Sequence, residues 1–152
     1  MPNWCVGTLK VRGKINDLKR FILEGLEPVN VFGQSKEKLQ FNEYGECDCN
    51  GSCYIKNTHR GFVEDLYVCI DTDDETDVVK TICLDSKFAW GISATDLQKT
   101  CREFNVDMKI FAFERGMEFN QNIEIIDGQI TKNEDIEFND YSWECVCPNL
   151  GG

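Results

Sequence analysis

The sequence predicts an α+β fold, an antiparallel sheet with two helices on one face and a C-terminal β-meander. Three observations predict it. Cys5, Gly7, Leu9 and Val11 alternate with Val6, Thr8, Lys10 and Arg12, the period of two that marks a half-buried strand. Leu18, Phe21, Ile22 and Leu26 then recur at helical spacing, as Leu97, Cys101 and Phe104 do further on. Asp127-Gly128 separates two strand-like runs, and that dipeptide suits a two-residue hairpin.

Each element has a local reason. Gly13 ends the first strand, Asn16 is a plausible helix cap, Asp17 suits the positive end of the helix dipole, and Gly25 marks its C-terminal end. Residues 27–60 read as irregular, with Pro28, Gly33, Gly45 and Gly51 as punctuation and a short strand at Leu39 to Asn42. Leu66 to Ile70 is a second strand that runs into a carboxylate-dense turn, Asp71 to Asp77. Val78 to Trp90, broken by Asp85-Ser86, reads as a strand leading into a helix. Ser93 followed by Asp96 is a variant capping box that opens the second helix. Val106 to Phe113 alternates again, and Met117 to Ile126 and Gln129 to Phe138 supply the meander. The tail from Tyr141, with Pro148 and two terminal glycines, reads as irregular. This order fits a ferredoxin-like split βαβ core in a single domain, residues 1–152, with a cysteine-containing loop insertion near 43–60.

Charge is unevenly distributed. Residues 1–60 hold nine Lys and Arg against seven Asp and Glu, whereas residues 61–152 hold seven against twenty. The formal net charge of −11 therefore belongs to the second part. Such a surface repels phosphate backbones and speeds encounter with basic partners, which makes nucleic acid an unfavourable partner. No apolar run approaches the roughly 20 residues of a membrane span, and no basic-then-apolar export signal is visible at the start. A cytoplasmic setting with reduced thiols is expected, and nine cysteines then read as no disulfide framework. Cys69, Cys83 and Cys101, in apolar surroundings, read as small core residues.

The opening Met1-Pro2-Asn3-Trp4-Cys5 resembles the signature of the YubB-like ferredoxin-like family of phage and plasmid proteins. The step from Gly13 to Phe21, the run Phe113-Glu114-Arg115-Gly116-Met117-Glu118-Phe119 and the ending Tyr141-Ser142-Trp143-Glu144 are similar to later parts of that family. The resemblance implies a ferredoxin-like fold and an origin in a mobile element. It carries over no catalytic residue.

Candidate chemistry is sparse. Cys47, Cys49 and Cys53, with His59 beyond them and Cys145 and Cys147 in the tail, are soft ligands that suit a structural zinc. Their spacings differ from the paired C-x₂-C of zinc ribbons, and reduced loop thiols are the simpler reading. His59, the only histidine, has no nucleophile motif around it. The acidic turn lacks the Gly and Glu of a calcium loop, since Thr76 and Ile82 stand there. Arg60-Gly61-Phe62-Val63 matches an RNA-recognition signature only faintly, and Leu150-Gly151-Gly152 lacks the flexible basic arm of a conjugation tail.

The expectation is a non-enzymatic accessory protein of a phage or related element. It would need no cofactor and would dock on a host protein, such as a defence effector with a basic surface. The docking residues would be Asp73, Asp74, Glu75, Asp77, Glu134, Asp135 and Glu137. The alternative is a small zinc-binding or nucleic-acid-binding module built around the cysteines.

Overall fold

The computed structural model describes residues 1–30, 32, 37–71 and 75–152. Its frame is β1 (Trp4–Lys14), the strand that the first alternation predicts. This strand lies inside the sheet, antiparallel to β5 (Val79–Ala89) on one side and to β6 (Asp107–Glu114) on the other. The remaining strands are β2 (Leu26–Pro28), β3 (Glu46–Ile55), β4 (Gly61–Cys69), β7 (Phe119–Ile126) and β8 (Gln129–Glu137). Among the described residues all eight belong to one sheet, in the order β2-β3-β4-β5-β1-β6-β7-β8, and every neighbouring pair is antiparallel.

This architecture overturns the expected ferredoxin-like split βαβ core with a meander appended. One large antiparallel sheet takes up all eight strands of the described residues, and the helices beside it are short: α1 (Ile15–Arg20), α2 (Ala94–Phe104) and α3 (Tyr141–Glu144). The segment read as a loop insertion contributes β3, the second strand from one edge. No strand forms at Leu39 to Asn42, and Val79–Ala89 is a single strand. Asp85 and Ser86 do not interrupt β5, because Asp85 faces water and Ser86 turns inward. There the Ser86 hydroxyl donates to the Gly7 carbonyl of β1 at 2.8 Å.

Strand alternation divides the sheet into two faces. The inner face carries Cys5, Leu9 and Val11 of β1, Met108 and Ile110 of β6, and Ile123 and Ile125 of β7, all buried. Onto it pack Leu18 of α1, Phe21 and Ile22 of the single π-helical turn that follows (Phe21–Gly25), and Leu97, Cys101 and Phe104 of α2. Phe21 meets Phe104 edge to face, with ring centroids 5.8 Å apart. Each such aromatic ring removed from water contributes about 1.5–3 kcal/mol. Asn16 does not cap α1; Lys14 precedes it, and no side chain caps that end. Ser93 does cap α2, its hydroxyl accepting from the Asp96 amide at 3.3 Å, and Asn105 closes the helix in a left-handed conformation.

Parity also corrects the cysteines. Cys69 and Cys83 lie on the exposed positions of β4 and β5, whereas Cys101 is buried. The β7–β8 turn takes the left-handed backbone at both central residues, Asp127 at φ 49° and Gly128 at φ 69°, which fits the hairpin reading. Gly61 opens β4 where a methyl group would strike the Phe88 ring and the Thr58 hydroxyl, so only glycine lets the β3–β4 turn pack there. On the outer face the tail folds back: Cys145 lies against Asn120 of β7, and the Gly152 amide donates to the Trp4 carbonyl at 2.9 Å.

Candidate functional site

A cleft of about 390 Å³ opens where β5 hands over to α2. Its floor is Phe88 and Gln121; its rim holds His59, Trp90, Asp96 and Asp135. Local geometry places each of them. Trp90 follows the last residue of β5 with φ 67°, a left-handed backbone that costs a non-glycine residue of order 1 kcal/mol or more. Its amide donates to the Asn3 carbonyl at 2.9 Å, which ties this turn to the start of β1, and its side chain is 58% exposed. Asp96 sits in the first turn of α2, its carboxylate 3.2 Å from Lys99.

Gln121 organises the floor. Its side-chain oxygen accepts from the Ile92 amide at 2.7 Å, and its side-chain nitrogen donates to Asp135 at 2.8 Å and to the Ile92 carbonyl at 3.3 Å. A buried amide with both ends satisfied locks the loop after Trp90 to the edge strand β8. Cys5 lies beneath, its thiol donating to Gln121 at 3.7 Å. Burial pushes that thiol up to about 12, and the charges of Glu114 and Asp135 push the same way, so it is no nucleophile at neutral pH. Glu114, wholly buried, accepts from the amides of Gly116 and Met117 at 2.9 and 2.6 Å and shapes the β6–β7 turn.

The acidic residues expected to form one docking surface are dispersed. Asp135 lines the cleft, and Glu137 pairs with Phe119 of the cleft wall. Glu134 faces the opposite side of the sheet, where Asn122 donates to it at 3.5 Å. Glu75 and Asp77 lie before β5, at the other end of that strand from Trp90, and Asp77 pairs with Lys14 at 3.0 Å. Asp73 and Asp74 lie outside the described residues.

The six proposed zinc ligands do not converge. Cys47 and Cys53 are buried in the core on β3, with Cys49 packed against the same cluster. Burial, and then Asp48, pushes the Cys47 thiol up, which disfavours the thiolate a zinc ion needs. Cys145 lies beside β7, five places along the sheet from β3, with Cys147 two residues further along the tail. His59 sits at the cleft rim, exposed to water. Among the described residues no three His, Cys, Asp or Glu side chains are grouped to hold a metal ion.

Sequence reasoning missed Trp90, Asp96 and Gln121 as site residues. The available signal was a tryptophan before a glycine, between a strand and a helix cap, where core burial has no use for it. No helix among the described residues is long and apolar enough to cross a membrane. Comparisons with family models, curated proteins and solved structures gave no match, so the likeness of the opening residues to the YubB-like family stands on those residues alone.

Proposed function

We propose that the chain is a non-enzymatic binding protein, an accessory of a phage or related element that docks on a host protein with a basic surface, such as a defence effector, in the host cytoplasm. The observation that carries this reading is Trp90, an exposed indole held on a left-handed backbone in a cleft that Asp96 and Asp135 also line. A large aromatic in a cleft lined by two carboxylates suits an arginine- or lysine-bearing partner: the ring accepts the cation's face and the carboxylates its hydrogen bonds. Asp135 donates nothing to catalysis in this reading; it and Glu137 supply the negative rim.

The test is affinity capture from host lysate with the wild-type chain, Trp90→Gly and Asp135→Asn/Glu137→Gln. The expected result is a stoichiometric partner recovered by the wild type and lost by both variants. Equal recovery by all three proteins removes the cleft from the binding surface. Turnover of a small molecule by the purified chain overturns the non-enzymatic reading.

A further inference from the structure

The outer face of the sheet carries a second depression, about 440 Å³, independent of the Trp90 cleft. Thr8 and Lys10 of β1, Asp85 of β5, and Lys109, Phe111 and Phe113 of β6 line it. The register sets these side chains in rows. Thr8 lies between Asp85 and Phe111, and Lys10 lies directly opposite Lys109. Like charges facing each other across an antiparallel pair are destabilising on their own. Lys109 has Glu124 at 3.4 Å, whereas Lys10 is exposed and makes no ion pair among the described residues. An anion between the two ammonium groups removes that repulsion.

The neighbouring row has the complementary chemistry. Phe111 is 39% exposed and meets Phe113 edge to face at 5.4 Å, leaving an aromatic face on which a base can stack. Asp85 is exposed and beside Thr8, a carboxylate and a hydroxyl placed to bond sugar hydroxyls. Two residues along a strand separate the rows by about 7 Å, within the span of one nucleotide.

We propose that this face binds a free ribonucleotide, with the base on Phe111, the ribose hydroxyls at Asp85 and the phosphate between Lys10 and Lys109. The charge balance selects the monomer over a strand of nucleic acid. The lysine pair acts within a screening length of about 8 Å at physiological ionic strength. A polyanion extends past it and meets Glu134 further along the same face of a chain whose net charge is −11.

The experiment is titration of the full chain with AMP, GMP, CMP and UMP, followed by heteronuclear NMR and calorimetry, with the corresponding nucleosides as controls. Supporting results are saturable shifts confined to β1, β5 and β6, and a loss of about tenfold in nucleotide affinity for Lys10→Glu, the size of one charge-assisted contact. Lys10→Gln gives a smaller loss in the same direction, and nucleoside affinity is unchanged in both variants. Phe111→Ala weakens nucleotide and nucleoside alike, and Asp85→Asn weakens ribonucleotides more than their deoxy forms. Trp90→Gly leaves every one of these values unchanged, which separates this site from the docking cleft. The proposal is overturned by absence of shifts on this face at millimolar nucleotide, by affinity indifferent to Lys10, or by a short oligonucleotide binding where the monomers do not.

Discussion

Trp90 keeps more than half of its surface in water on a backbone that glycine would occupy at lower cost. Local strain at an exposed aromatic is what a binding residue looks like when packing alone does not require it. Trp90→Gly is therefore expected to hold wild-type stability within about 0.5 kcal/mol in chemical denaturation, while partner capture fails. Gly61 behaves in the opposite way. Gly61→Ala drives a methyl group into the Phe88 ring, and a loss of about 1–3 kcal/mol is expected by the same measurement. Two buried thiols set an alkaline limit. Burial pushes both Cys5 and Cys101 from 9.0 up to about 12, so the folded state holds protons that the unfolded state releases. Stability is thus full below pH 9 and falls as pH rises from 9 toward 12. Replacing both residues by alanine lowers stability at neutral pH and flattens that alkaline slope, which thermal melts across pH check.

At the level of elements, the legible parts were those whose own residues decide their state. α2 announces itself through Ser93 with Asp96 and the apolar spacing of Leu97, Cys101 and Phe104. Ser93→Ala is expected to cost about 1 kcal/mol, read as a lowered denaturation midpoint. β1 and β6 were legible because each has one wet and one dry face, and Asp127-Gly128 because its backbone demands that dipeptide. β3 was not. Its Asp48, Asn50 and Gly51 are of types depleted from strands, and pairing with β4 around a register shift between Cys49 and Ser52 holds it in place. The cleft was hidden for a similar reason. Asp96, Gln121 and Asp135 are far apart in the chain and meet only because α2 and β8 flank β7. The edge strand β8 protects itself with Lys132, Glu134, Asp135 and Glu137, and with the irregularity opposite Glu124 and Ile125.

For the whole molecule, the net charge of −11 governs how fast a basic partner arrives more than how long it stays. Raising salt is expected to slow association of the captured partner steeply and to change its dissociation little, which surface plasmon resonance resolves. The position of β1 carries a different consequence. This strand has both of its hydrogen-bonding margins filled from far along the chain, by residues 79–89 and 107–114. Until residues 79–89 are in place that apolar ribbon has no strand beside it, its second margin stays open until residues 107–114 arrive, and closing such distant pairings is slow. Refolding after denaturation therefore competes with aggregation through the same open margins.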